Sequence, residues 1–169
     1  MMPLLTTRLR LRQLDEDDAG FILGLVNEPS WLRYIGDKNV RTLDDARAYL
    51  RSGPMESYRR HGFGLYCVER REDAAAIGMC GLIKRDTLPE VDIGFALLPA
   101  HFGQGYIPEA ARAVIDQGRN LFGLKRLLAI TQPDNQASIA VLRKLGMQRE
   151  NSISLTPGDA PIELYSMGL

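Results

Sequence analysis

The fold of this chain is decided by one stretch, Leu97-Leu98-Pro99-Ala100-His101-Phe102-Gly103-Gln104-Gly105-Tyr106-Ile107-Pro108-Glu109-Ala110. It predicts the end of a strand, a glycine-rich turn and the start of a helix, whose first turn holds Pro108 without losing a hydrogen bond. Gly103 and Gly105 allow a tight turn and a close approach of a ligand to the backbone. Because loop amides and first-turn N–H groups meet at the positive end of the helix dipole, the stretch predicts a phosphate-binding site.

Length and composition predict one soluble domain over residues 1–169. The chain carries 21 Lys and Arg against 21 Asp and Glu, so no net field attracts nucleic acid or an anionic membrane. No apolar run approaches the roughly 18 residues of a membrane span. The segment from Met1 to Arg8 lacks the regions of a signal peptide. We therefore expect a cytoplasmic protein without a nucleic-acid or membrane partner.

The hydrophobic pattern predicts an α/β (α+β) fold with a mixed, mostly antiparallel sheet of six to seven strands and helices on both faces. Residues 7–14 alternate as a strand whose arginines share a solvated face, and Pro29 breaks the helix that the acidic run 15–18 opens. A second helix follows Thr42. Later elements are strands over 63–70, 75–84, 91–98, 126–131, 147–155 and 162–167, with helices over 107–122 and about 135–145.

The two cysteines predict neither a metal site nor a disulfide. Cys67 and Cys80 lie on either side of a turn near Asp73 and could be neighbours across two strands. Neighbouring Cβ atoms there are about 4.5–5.5 Å apart, at or beyond the roughly 3.5–4.5 Å of a disulfide. Two reduced thiols in the core are therefore expected. The chain has no H-E-x-x-H motif or Cys/His cluster, so we expect no metal.

Three motifs carry a family resemblance that spans nearly the whole chain. The run Gly103-Gln104-Gly105-Tyr106 before Glu109-Ala110 resembles the coenzyme A pyrophosphate loop of the GNAT superfamily of N-acetyltransferases. Asn135-Gln136-Ala137-Ser138 and Val141 to Met147 resemble the N-x-x-S-x-x-v-L-x-k-x-G-f signature of its RimJ/RimL-like branch, the ribosomal-protein alanine acetyltransferases. The opening Thr7 to Arg12 is also typical of that branch.

The resemblance implies a single-domain GNAT-like fold with a splayed central parallel strand pair that takes acetyl-CoA. The pantetheine arm would pair with the exposed edge of the strand before the loop, as an extended peptide does. Two positions depart from the family pattern. Ala100 replaces a Gln or Arg, so the phosphates would rely on backbone amides with little side-chain help unless His101 contributes. Leu142 replaces a tyrosine general acid. The expected cofactor contacts are Phe95, Ala96, Leu97, Leu98, Phe102, Gly103, Gln104, Gly105, Tyr106, Ile107, Asn135, Ser138 and Leu142.

Acyl transfer to an amine predicts a base for the protonated amine and help for the leaving thiolate. The resemblance implies Asp92 as the base, because related sequences carry an acidic residue at this strand position, before Ile-Gly-Tyr/Phe. An exposed strand carboxylate is the alternative, and Glu90 and Glu163 are weaker candidates. Ser138 would protonate or orient the sulfur, or simply pack where the helix nears the cofactor. Asn135 would contact the pantetheine arm or cap its helix.

In the family, the first helices and the late strands build the acceptor site. The resemblance therefore implies Trp31, Tyr34 and Ile35, with Tyr66 and Tyr165 as further candidates. Core packing is the alternative for each. The resemblance implies an acetyl-CoA-dependent N-acetyltransferase acting on a protein N-terminus or a small amine, as a monomer or homodimer. The alternatives are an acyl-CoA-binding sensor without catalysis and an interaction domain with an empty cleft. Transfer of a longer acyl group such as succinyl would need basic residues near the thioester, and the sequence alone does not place any.

Overall fold

The computed structural model describes residues 2–169. Its strands are β1 (Leu4–Leu5), β2 (Leu9–Gln13), β3 (Leu65–Arg70), β4 (Ala76–Ile83), β5 (Asp92–Leu97), β6 (Arg126–Thr131), β7 (Gln148–Ile153) and β8 (Ile162–Gly168). Its α-helices are α1 (Ala19–Leu25), α2 (Pro29–Tyr34), α3 (Leu43–Ser52), α4 (Pro54–His61), α5 (Tyr106–Asn120) and α6 (Gln136–Lys144). Short 3-10 turns cover Glu16–Asp18 and Pro99–His101.

The strands form one open sheet in the order β1-β2-β3-β4-β5-β6-β8-β7. All neighbours run antiparallel except β5 and β6, which are parallel. The splayed central pair is therefore confirmed. The strand count of six to seven was wrong, because Leu4 and Leu5 add an eighth strand opposite Leu11 and Arg10. Two residues are too few to show the alternation that reveals a strand.

Pro29 begins a helix rather than ending one. It occupies the first turn of α2, where a missing N–H breaks no intrahelical bond. The prediction that Pro29 only breaks a helix is therefore wrong, because α2 begins at this residue. As a consequence, Trp31 and Tyr34 lie within a helix, and Ile35 is its C-terminal cap.

Each face of the sheet has its own apolar core. On one face, α5 and α6 pack Val114, Ile139 and Leu142 against β2 to β6. On the other, helix residues such as Leu50 of α3 pack in one core with strand residues such as Met79 of β4. The two cores share no side chain, so the cleft between β5 and β6 connects two distinct faces of the molecule.

Both cysteines are buried free thiols, as expected. They are not cross-strand neighbours, however, because Cys67 is opposite Met79 and Cys80 is opposite Tyr66. The offset of one residue turns the two thiols to opposite faces of the sheet. Burial raises the pKa of each to about 12, which keeps both thiols protonated and inert.

Arg12 joins β2 to the 3-10 turn at Glu16–Asp18. Its guanidinium donates to both carboxylate oxygens of Asp18, at 2.9 and 2.8 Å, and to Glu69 at 3.0 Å. Asp18 also closes a capping box with Asp15. The arginine face of this strand was expected to be solvated, but this arginine is largely enclosed by its partners. Alternation shows which side a residue faces, not what packs onto that side later in the fold.

We expect Asp18→Asn to lower the free energy of unfolding by about 2 kcal/mol at pH 7, the range for charged hydrogen bonds. Burial opposes ionisation of Asp18, but the bonds from Arg12 and the Asp15 backbone outweigh it and lower its pKa. The stabilisation is therefore complete above the unfolded pKa near about 4 and is lost as pH falls through the lower folded pKa. Denaturant melts at pH 7 and at pH 3 measure this difference. Asp44→Asn, which breaks an exposed pair with Arg47, is the control and should change stability by less than about 0.5 kcal/mol.

Candidate active site

A V-shaped cleft opens between the parallel strands β5 and β6. Their only register pair among residues 2–169 is Asp92 with Leu128, where the Leu128 N–H donates to Val91 O at 3.0 Å. The Leu98 N–H donates to the Ile77 carbonyl oxygen of β4 at 2.8 Å, so the backbone groups of Leu98 face β4. Alternation along the strand then turns the N–H and C=O groups of Phe95 and Leu97 towards β6, which they do not reach. This open strand edge has the hydrogen-bonding pattern that a pantetheine arm requires.

The glycine loop lies at the wide end of this cleft. Gly103 and Gly105 have φ values of +75° and +79°, which only glycine adopts without strain. Gly105 is the N-cap of α5, and no side chain caps the helix. The first-turn N–H groups of Tyr106 and Ile107 therefore lack an intrahelical acceptor, as at any helix start. This geometry fits a pyrophosphate, and Phe102 and Gln104 are exposed beside it.

Arg8, in the bend just before β2, holds the glycine loop in place. Its guanidinium donates to Gln104 O at 2.9 Å and to Glu109 at 2.8 Å, and it stacks 4.3 Å from the Tyr106 ring centre. Glu109 also accepts the Arg8 N–H at 2.9 Å and the Thr6 hydroxyl. The sequence does not reveal this role, because about 100 residues separate Arg8 from Gln104 and Glu109. Strand alternation gives no information about such distant partners.

His101 supplies a polar group where Ala100 has none. Its ring packs edge-on against Tyr106, and its buried Nδ1 has no hydrogen-bond partner among residues 2–169. Buried polar atoms without partners are rare and often face a ligand. His101 thus has a free nitrogen beside the loop, where the sequence left its contribution open.

The start of α6 lies beside the same end of the cleft. Asn135 caps this helix, since its Oδ1 accepts the Ser138 N–H at 3.2 Å. Capping is one of the two roles considered for Asn135. Ser138 is half-buried, and its hydroxyl has no partner within residues 2–169. Leu142 is fully buried in the α5–α6 core, so it exposes no surface to a ligand in this structure.

Asp92 lies at the closed end of the cleft and is fully buried. The alternative of an exposed carboxylate is therefore wrong. Arg85 Nε donates to its Oδ1 at 3.0 Å, whereas Oδ2 has no partner in the described chain. Burial raises the pKa of Asp92, and the charge and hydrogen bond of Arg85 only partly offset this. A raised pKa strengthens a carboxylate as a base.

The weaker base candidates are already engaged by arginines. Glu163 pairs with Arg149, and this hydrogen bond lowers its pKa, so it is a poorer base than Asp92. Glu90 Oε1 accepts from Arg126 at 3.2 Å, and its buried Oε2 has no partner among residues 2–169, as is also true of Asp92 Oδ2. The structure does not bring Asp92 and Ser138 together. Asp92 pairs with Leu128, and β6 continues from there to Thr131, a distance of about 10 Å at about 3.3 Å per residue. Ser138 lies beyond that end of β6.

The expected acceptor residues separate into two environments. Ile35 is exposed and Tyr34 is half-buried. Both lie near the cleft mouth, because neighbouring Arg33 bonds Asp134, just before α6, at 3.1 Å. Trp31 packs into the α1–α4 core, where its Nε1 has no partner among residues 2–169. Tyr66 and Tyr165 belong to the opposite core and do not face the acceptor side.

Two absences apply to the described part of the chain. No group of His, Cys, Asp or Glu within residues 2–169 is arranged to hold a metal ion. None of its helices combines the length and apolar character needed to cross a membrane.

Comparisons with known proteins agree with this geometry. The acetyltransferase (GNAT) domain family matches residues 8–148. The chain is 30% identical to the uncharacterised protein YkkB of Bacillus subtilis, over 96% of this chain and 93% of YkkB. It is also 30% identical to the uncharacterised N-acetyltransferase YoaA of the same organism, over 89% and 85% of the two chains.

One similar fold holds coenzyme A. RimL, a ribosomal L7/L12 α-N-protein acetyltransferase solved in complex with coenzyme A, superposes with a TM-score of 0.84. The match covers 99% of this chain and 98% of RimL at 20% identity, which shows a shared fold. With the splayed strands, the glycine loop and the family match over residues 8–148, this chain belongs to the GNAT acetyltransferase family.

Proposed function

We propose that this protein transfers the acetyl group of acetyl-CoA to a primary amine by direct attack in a ternary complex. The observation that carries the proposal is the cleft itself, with the unpaired β5 edge leading from the glycine loop towards Asp92. Acetyl-CoA would supply an activated thioester along that edge. Holding both reactants in one cleft is worth roughly 7–11 kcal/mol when they are well oriented.

The cleft would bind the two substrates from opposite faces of the sheet. The pyrophosphate would lie on the amides of Gly103 to Ile107, with Arg8 holding the loop in shape. Phe95 and Leu97 would pair with the pantetheine arm, and a free N–H of this edge would face the thioester oxygen. Such a preorganised donor is worth about 3–4 kcal/mol in other acyl transfers. The amine would enter from the α1–α4 side, past Tyr34 and Ile35.

We assign the two proton-handling roles to Asp92 and Ser138. The free Oδ2 of Asp92 would take the proton of the amine through water, since the carboxylate is buried and lies at the closed end of the cleft. Ser138, with an uncommitted hydroxyl at the wide end, would orient or protonate the leaving sulfur. A thiol titrates near about 8.5, so the leaving group needs little help.

Two classes of acceptor remain in the proposal: a protein N-terminus and a small amine. The name of RimL describes transfer to the N-terminus of a ribosomal protein by that enzyme. The cleft mouth beside Tyr34 and Ile35 would admit an extended peptide or a small molecule. We propose a cytoplasmic enzyme, as a monomer or homodimer, whose one domain spans the chain.

A calorimetric titration of acetyl-CoA followed by an amine panel tests the proposal. We expect saturable binding and turnover with at least one amine or N-terminal peptide. Binding without turnover across the panel would favour the acyl-CoA sensor. Absence of binding at millimolar acetyl-CoA would contradict both functions and leave a domain with an empty cleft.

Ser138→Ala should lower kcat by about tenfold while leaving the acetyl-CoA dissociation constant unchanged, because the serine would act only on the departing sulfur. Steady-state kinetics and calorimetry measure the two quantities. Ser52→Ala, at the exposed end of α3, is the matched control and should alter neither. Loss of acetyl-CoA affinity with an unchanged kcat would show that Ser138 only packs against the cofactor.

A further inference from the structure

Thr131, the last residue of β6, carries a buried hydroxyl without an internal partner. The residue is 7% exposed, and its Oγ1 makes no hydrogen bond within residues 2–169. Glu163, its neighbour across the β6–β8 pair, accepts from Arg149 and Ser152 instead. A hydroxyl that leaves water without gaining a hydrogen bond costs free energy, so such groups are rare in native proteins. Thr131 therefore offers a donor and an acceptor that the described chain does not use.

Alternation along β6 turns the Thr131 side chain towards the face that α5 and α6 cover. Leu127 and Ala129 pack in the α5–α6 core, whereas Leu128 packs in a separate cluster on the other face. Side chains two residues apart in a strand share a face, so Thr131 continues the row of Leu127 and Ala129. Because β5 and β6 are parallel, the end of β6 and the glycine loop that follows β5 lie at the same end of the sheet. The unpartnered hydroxyl is thus on the glycine-loop side of the cleft.

Thr131 is level with the open edge of β5. Counting along both strands from the Asp92–Leu128 pair places Thr131 opposite Phe95. The Phe95 side chain packs against the α5–α6 core, so both side chains are on the same face of the sheet. No register pair joins the two strands at this level among residues 2–169. An extended ligand that runs along the β5 edge therefore has Thr131 on its opposite side.

A ligand amide in this gap needs a hydrogen-bond partner on each side. An amide is planar and trans, so its N–H and C=O groups point in opposite directions. When one of these groups bonds the Phe95 backbone, the other turns towards β6. A threonine hydroxyl suits either orientation, because it donates one hydrogen bond and accepts others. The hydroxyl therefore matches an amide of an extended ligand, whichever of its two groups bonds β5.

We propose that the Thr131 hydroxyl bonds an amide of the pantetheine arm from the β6 side of the cleft. This inference rests on the proposed acetyl transfer and adds a residue of β6 to its cofactor site. With Phe95 on one side and Thr131 on the other, the arm is held at one level of the sheet. That level fixes how far the arm extends along β5, and hence where the thioester lies.

Calorimetry with coenzyme A and with ADP tests the contact without turnover, because ADP carries the pyrophosphate but no pantetheine arm. Thr131→Val keeps the shape of the side chain and removes the hydroxyl. It should weaken coenzyme A binding by about three- to tenfold, the range for one hydrogen bond between neutral groups, and leave ADP binding unchanged. Thr131→Ser keeps the hydroxyl and should bind coenzyme A within about twofold of the wild-type protein. Thr87→Val, at an exposed position between β4 and β5, is the control and should alter neither affinity.

Thermal melts separate this role from a structural one. Because the hydroxyl is unsatisfied in the free protein, Thr131→Val should melt at or above the wild-type temperature. Unchanged coenzyme A affinity in Thr131→Val would overturn the proposal, and so would an equal loss of ADP affinity. A lower melting temperature with weaker binding that Thr131→Ser does not restore would also overturn it. Each of these results leaves the proposed function intact, whose own failure shows as no acetyl-CoA binding by the wild-type protein.

Discussion

Gly103→Ala is expected to weaken acetyl-CoA binding by about 10- to 100-fold, which corresponds to about 1.4–2.8 kcal/mol. Gly103 has a φ of +75°, and a side chain in this region costs about 1–2 kcal/mol of strain. The loop relieves that strain by rotating peptide groups, and rotation turns the amides away from the pyrophosphate. A hydrogen bond to a charged group is worth about 1.5–3 kcal/mol, so misdirecting one amide accounts for the loss.

Gly123→Ala separates backbone strain from ligand binding. Gly123 has a φ of +64°, and like Gly103 it has open space around the position of an added Cβ. It follows the far end of α5, about 22 Å from the loop at about 1.5 Å per helical residue. Both variants should lose similar unfolding free energy, but only Gly103→Ala should bind acetyl-CoA less tightly in calorimetry. Equal affinities in the two variants would show that the loop does not hold the phosphates.

The glycine loop and the strands beside it were predictable because their signals are local. Gly103, Gly105 and Pro108 constrain the backbone by their own chemistry, and β6 was placed at its observed bounds by a continuous apolar run. Pro29 shows the limit of such rules, since a proline ends one helix or begins another according to what precedes it. The two-residue β1 exists only because β2 pairs with it.

The candidate site was less predictable than the fold because its interactions cross the chain. Nothing near Arg8 in sequence indicates that it will support Gln104 and Glu109. Asp92 was identified by family position, but its burial and its arginine partner depend on how β4, β5 and the segment after β4 assemble.

Asp92→Asn is expected to lower kcat/KM for the acceptor amine by at least about 100-fold, the lower range for loss of a general base. Asparagine keeps the shape of the side chain and an oxygen that can accept the Arg85 Nε–H, but it cannot take a proton. Acetyl-CoA binds on the other face of the sheet in the proposed complex. Its dissociation constant should therefore stay within about twofold of the wild-type value, about 0.4 kcal/mol.

The pH profile of Asp92→Asn distinguishes a general base from a carboxylate that only positions Arg85. Because burial raises the pKa of Asp92, the wild-type rate should rise with pH through this elevated pKa as the carboxylate forms. A second rise belongs to the amine, near about 8 for an α-amino group. Asp92→Asn should lose the first rise and keep the second, whereas Glu163→Gln, whose carboxylate is held ionised by Arg149, should retain both. An Asp92→Asn enzyme with both rises would assign the amine proton to water alone, with the buried carboxylate serving to position Arg85.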